Sequence, residues 1–274
     1  MFRVPRSTPP RLATFAVAFV VAASSFAYAD DMTGKQVLEK AIDAMGGRAA
    51  MEKVKSRITT VTAAVPAMNV NGTVTIYQQA PNKAYIVQDI AGIGKTESGT
   101  DGNIAWQMSP MMGVRILSGE EKEATMREAT LNSDLEPDKW YKSIENTGTE
   151  DVNGKPAYKV VFTTNSGQKE TRYFDKASFL PVKTETVVKG PQGEVPVSTL
   201  VTDWQEIEGI KMPMKVTQHI MQFDQTLTVT KVEQNVDIPA EKFEVPEKVK
   251  AAASKPAASR PAQGSGGPPG AVGD

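Results

Sequence analysis

No cysteine occurs anywhere in the chain, and histidine occurs once, at His219. The first absence removes disulfides, thiol redox chemistry, cysteine nucleophiles and zinc–cysteine sites. The second leaves little for acid–base or nucleophilic catalysis. A Ser–His–Asp arrangement has only His219 to draw on, and no serine sits in a Gly-x-Ser-x-Gly turn. A phosphate-cradling glycine loop is missing too, because Gly92-Ile93-Gly94 has no helix after it. Nothing matches a calcium loop, and Asp101-Gly102-Asn103 reads as a turn. The acidic pairs Glu120-Glu121 and Glu150-Asp151 fall at a helix start and in a loop. The expectation is a non-enzyme with no catalytic residues, no cofactor and no metal.

Long apolar runs are absent after residue 29. The single run, 12–26, follows Arg3, Arg6 and Arg11 and leads to Ala27-Tyr28-Ala29. That is the pattern of a cleaved secretory signal peptide over residues 1–29. It is shorter than the ~18–20 residues a span needs, and no cysteine follows to carry a lipid, so no stable membrane anchor is expected. Without the three leader arginines, 28 Lys and Arg stand against 32 Asp and Glu, a formal charge of −4. Such a balance argues against nucleic acid as a partner. Residues 250–274 are largely Ala, Pro, Gly and Ser and read as a disordered tail. One domain, 30–249, remains. It is large enough to stand on its core without disulfides, and a monomer is expected.

What the domain does have is alternation. Val70, Gly72, Val74 and Ile76 share one side of a strand, with Asn71, Thr73, Thr75 and Tyr77 on the other. Val182, Thr184, Thr186 and Val188 oppose Lys183, Glu185, Val187 and Lys189 in the same way. A period of two places alternate side chains on opposite faces of a sheet. Strands are predicted near 57–65, 68–79, 83–90, 94–100, 103–108 and 113–117, then 144–151, 157–164, 170–175, 181–189, 195–206, 210–222 and 225–237. Pro81-Asn82, Asp101-Gly102, Asn153-Gly154 and Glu208-Gly209 mark turns. Pro196 and Pro213 mark edges or bulges. Thr33 with Gln36 caps a helix carrying Val37, Leu38, Ala41, Ile42 and Met45, which Gly46-Gly47 ends. Ser118 with Glu121 predicts a second helix to Leu131, weakly apolar and placed like a lid, and 132–143 reads as irregular. About a dozen antiparallel strands are too many for a flat sheet and predict a barrel or half-barrel.

One greasy face gathers Val74, Ile76, Ile86, Trp106, Val114, Ile116, Val182, Val188, Met212 and Met214. These ten are the candidate hydrophobic ligand-binding residues. A filled core and a cavity for an acyl chain both fit them. Met212, Met214 and Met221 stand close to His219, and thioethers with an imidazole suit Cu(I). Met212 and Met214, however, alternate in phase with Val216 and Ile220 and are read as apolar lining.

Several stretches resemble the outer-membrane lipoprotein-sorting (LolA/LolB-type carrier) superfamily. They are Ala41-Ile42-Asp43-Ala44-Met45-Gly46-Gly47 leading into Val54-Lys55-Ser56, and Thr100-Asp101-Gly102-Asn103-Ile104-Ala105-Trp106. Tyr173-Phe174-Asp175 with Leu180-Pro181-Val182-Lys183 follows, then Asp203 to Pro213, and Val232 to Val236 leading to Phe243-Glu244-Val245-Pro246. The resemblance implies a mainly β (α+β) fold, an incomplete antiparallel β-barrel with helices packed in its concave mouth. It implies a periplasmic carrier for lipoprotein acyl chains or other lipid-like ligands. The alternative it implies is an envelope regulatory or stress-sensing module whose groove binds a protein partner. Arg57 and Arg115 are candidates for the carriers' functional arginine, and both read as surface or rim charges.

Overall fold

The computed structural model describes residues 32–190 and 193–254. The expected leader and most of the expected tail lie outside the described residues. Helix α1 (Gly34–Ala44) starts with the capping box: Gln36 N–H donates to the Thr33 hydroxyl and Thr33 N–H to the Gln36 side chain. A short turn, α2 (Arg48–Met51), follows. The chain then runs through β1 (Ser56–Val65), β2 (Val70–Gln79), β3 (Lys83–Ile90), β4 (Gly94–Thr100), β5 (Ala105–Ser109) and β6 (Gly113–Ile116). Helices α3 (Gly119–Ala129) and α4 (Pro137–Trp140) interrupt it. The second half is β7 (Tyr141–Val152), β8 (Lys155–Thr164), β9 (Lys169–Asp175), β10 (Pro181–Gly190), β11 (Gly193–Ile207), β12 (Ile210–Ile220) and β13 (Phe223–Gln234), then α5 (Glu247–Ala253).

The described strands form one antiparallel sheet of 13, ordered β6-β5-β4-β3-β2-β1-β13-β12-β11-β10-β9-β8-β7. It is mainly β and does not close: β6 and β7 are its free ends, joined through α3 and α4. Asn153-Gly154 (φ 53° and 79°) and Glu208-Gly209 (φ 50° and 81°) make the tight left-handed turns that match strand twist. Pro213 sits opposite the irregularity in β11 at Asp203, where β12 has run past its ladder with β13.

Cross-strand partners point the same way, so the register assigns every strand residue to a face. We call the face under α1 and α3 the inner face. Over β7–β9, α1 presses Val37, Leu38, Ala41 and Ile42 onto Tyr158, Val160, Phe162 and Phe174, all almost fully buried. Glycine is required where α1 meets β7, since a Cβ on Gly34 would stand 2.5 Å from the Ile144 carbonyl oxygen. Gly46 ends α1 at φ 125°, and a Cβ there would be 2.3 Å from the Gly209 carbonyl oxygen. On the outer face, Trp106, Val245 and Val249 form a second core beneath α5. A third gathers Val152, Ala157 and Tyr173.

Three details differ from expectation. Helix α3 forms, but the Ser118 side chain makes no cap bond, and the Glu121 carboxylate that would complete the box pairs with Arg115. The expected irregular segment contains α4 and starts β7 early, so that Trp140 and Tyr141 enter the α1 core. Helix α5 continues to Ala253, inside the expected tail, anchored by the fully buried Val249.

Candidate ligand-binding face

The register divides the ten candidate residues. Val74, Ile76 and Ile86 occupy the inner face of β2 and β3, with Ile76 directly opposite Ile86. Met212 and Met214 share that face on β12, where Met212 packs against the α1 core. Val188 has the same parity near the end of β10 and is 45% exposed. The remaining four lie elsewhere, a correction to the single face read from the sequence. Trp106, Val114 and Ile116 point outward into the core with Val245 and Val249. Val182 sits at a register shift in β10 and packs with the outer cluster of Val152, Ala157 and Tyr173. Alternation within a strand gives two faces but does not say which one neighbouring strands share.

Between α1 and α3 the inner face forms an apolar trough. Its rows are Thr59/Ile76/Val232, Val61/Val74/Val229 and Ala63/Gly72/Leu227 on β1, β2 and β13. Val61 and Ala63 are buried, whereas Ile76, Val74, Val229, Val232 and Leu227 are only half-buried. Two hollows of about 310 and 340 Å³ lie off the trough, one beside Glu120 and Gln168, the other on the outer face around His219.

Helix α3 borders the trough and touches both ends of the sheet. On the β4–β6 side, Thr100 hydroxyl lies 3.2 Å from Met126 Sδ, and Arg115 holds Glu121 at 2.7 and 2.9 Å. Gln78 Nε2 on β2 donates to the Glu128 carbonyl at 2.9 Å. On the far side, Gln168 donates to Glu120 at 3.1 Å, and Arg127 lies 3.8 Å from Glu170.

Beneath the end of α3 lies a buried polar knot. Arg172 donates to Asp134 at 2.8 Å, to the Tyr141 hydroxyl at 2.6 Å and to Glu170, with its guanidinium 4.3 Å over the Phe162 ring. Burial pulls Arg172 down, but Asp134, Glu170 and Tyr141 outweigh it and hold the cation well above its ordinary value. Burial pushes the Tyr141 hydroxyl up to about 12.

The two candidate arginines part company. Arg115 is paired at the sheet edge, as expected of a rim charge. Arg57 is half-buried. It stands on the inner face between Gln78 and Gln234, and its Nε is shut away from solvent without a partner.

His219 lies on the outer face. Cross-strand pairing sets Ser198 on one side of it and Asp224 on the other, with His219 Nδ1 2.8 Å from Asp224 Oδ1. Sequence reading missed this row because pairing, not spacing, assembles it. Among the described residues no hydrogen bond joins Ser198 to His219. His219 and Asp224 side chains are 59% and 66% exposed. His219→Ala is therefore expected to change unfolding free energy by no more than about 1 kcal/mol in urea denaturation. Among the described residues no acid–histidine group is arranged to hold a metal, and no helix is long and apolar enough to cross a membrane.

No family model matches the sequence, and no curated protein does. Solved structures do. A LolA superfamily protein from Nitrosomonas europaea is similar over 78% of this chain and 98% of its own, at 14% identity and TM-score 0.54. A DUF1329 family protein from Desulfovibrio piger matches 77% of this chain and 96% of its own, at 13% identity and TM-score 0.53. An outer-membrane lipoprotein-sorting protein domain from Vibrio parahaemolyticus matches 77% and 97%, at 12% identity and TM-score 0.51. The fold of this chain, an unclosed antiparallel sheet with helices on its inner face, is LolA-like.

Proposed function

We propose that the protein is a periplasmic carrier or binding protein for lipid-like hydrophobic groups, lipoprotein acyl chains among them. The observation that carries this reading is the row of half-buried aliphatic side chains left between α1 and α3 on the inner face. The likeness to a lipoprotein-sorting domain supports it at the level of fold. Helix α3 acts as a lid, and an acyl chain takes its place on the sheet. The balance of energies permits the exchange. The part-buried polar contacts of α3 contribute about 1–2 kcal/mol each, whereas each buried methylene contributes about 0.8 kcal/mol. A long acyl chain therefore exceeds the lid contacts it displaces.

Met214→Glu and Ile86→Asp each place a carboxylate in the trough. Each is expected to weaken uptake of a fluorescent acyl probe by at least about tenfold, since a buried unpaired charge costs several kcal/mol. Circular dichroism identifies variants that still fold. A folded variant with undiminished uptake sinks the trough assignment. Native mass spectrometry of the exported protein supplies a second check. A co-purified lipid supports the carrier, while a lipid-free protein bound to one envelope protein supports the interaction module instead.

A further inference from the structure

The trough has a polar end. Arg57 on β1 faces Gln78 on β2 and Gln234 on β13, and every row beyond it is largely apolar. From Arg57 to Ala63 the strand covers about 20 Å, room for a long hydrocarbon chain. The Arg57 Nε is inaccessible to solvent and unbonded. The flanking amides are engaged elsewhere, Gln78 with the Glu128 carbonyl and Gln234 with Ile207 and Met212. Among the described residues no carboxylate lies within ion-pair distance of Arg57. Burial alone acts on it, pulling the guanidinium below its ordinary value. A half-buried cation whose Nε is closed off and which has no counter-charge carries a desolvation cost in the empty protein, and a bound anion offsets that cost.

We propose, building on the carrier reading above, that the trough is shaped for a single-chain amphiphile with a carboxylate head. The head pairs with Arg57, and the hydrocarbon lies along Ile76, Val74, Val229 and Leu227. A guanidinium matches a carboxylate in charge and in fork geometry. The single charge of Arg57 is balanced by a monoanion, whereas a dianionic phosphate brings one negative charge more than this guanidinium neutralises.

The test is calorimetric titration of the full chain with hexadecanoate and with hexadecanol, for the native protein and Arg57→Gln. Hexadecanoate is expected to bind the native protein more tightly than hexadecanol. Arg57→Gln should weaken hexadecanoate by about ten- to a hundredfold, the range for a hydrogen bond to a charged group, and leave hexadecanol unchanged. Ligand-free Arg57→Gln should melt at or above the native temperature. Equal binding of the two ligands, or no selective loss in the variant, overturns the head-group assignment while the carrier reading stands. A variant that melts lower and loses both ligands also overturns it, marking Arg57 as structural. If neither compound binds the native protein, the carrier reading fails and this inference with it.

Discussion

Tying α3 to the sheet is expected to abolish uptake of an acyl probe. Glu120 and Gln168 already meet at 3.1 Å across the gap between the α3 N-terminus and the β8–β9 turn. Cysteines at these two positions, joined by a short bis-maleimide, would hold the lid down. Uptake should fall by at least about tenfold, because a state that cannot open binds only through its residual open fraction. The native chain has no cysteine, so the cross-link forms at one place and single-cysteine proteins capped with N-ethylmaleimide serve as controls. Full uptake by the cross-linked protein would mean that α3 is not the gate.

Arg172→Met should destabilise the protein by about 3–5 kcal/mol, the usual cost of removing one partner from a buried ion pair. Its side chain and that of Glu170 are each 15% exposed, and Asp134 is 28% exposed. Methionine fills a similar volume over Phe162 but leaves the two carboxylates without their shared cation. Urea denaturation reads the change. If charge is the cause, replacing Asp134 and Glu170 with leucine in the same protein should recover much of the loss. A loss that persists in the triple variant points to packing over Phe162 instead.

Local features were legible from the sequence wherever backbone chemistry decides. Asn153-Gly154 and Glu208-Gly209 supply the positive φ that a two-residue hairpin needs, and Thr33 with Gln36 forms its cap as spaced. The faces were less legible. Register shifts at Thr60/Val61, Pro181/Lys183 and Val201/Asp203 reset the alternation. Both faces also carry large apolar residues, because α5 covers the outer one as α1 covers the inner. Trp106 and Ile86 therefore look alike in sequence and point to opposite sides. Arg57 alternates like any strand arginine, and nothing in that spacing tells that the fold closes off its Nε. The Ser118–Glu121 box fails for a nearer reason: Arg115, six residues before Glu121 at the end of β6, takes its carboxylate with two charged hydrogen bonds.

The seam between β6 and β7 is bridged by a helix and not by a thirteenth hydrogen-bonded ladder. In a closed barrel, strand number and shear fix the girth, and widening it breaks main-chain bonds. Here the circumference can grow by sliding side chains past one another while the twelve existing ladders stay intact. On the carrier reading proposed above, a wall built this way is expected to take cargo of different bulk while its main-chain ladders stay as they are.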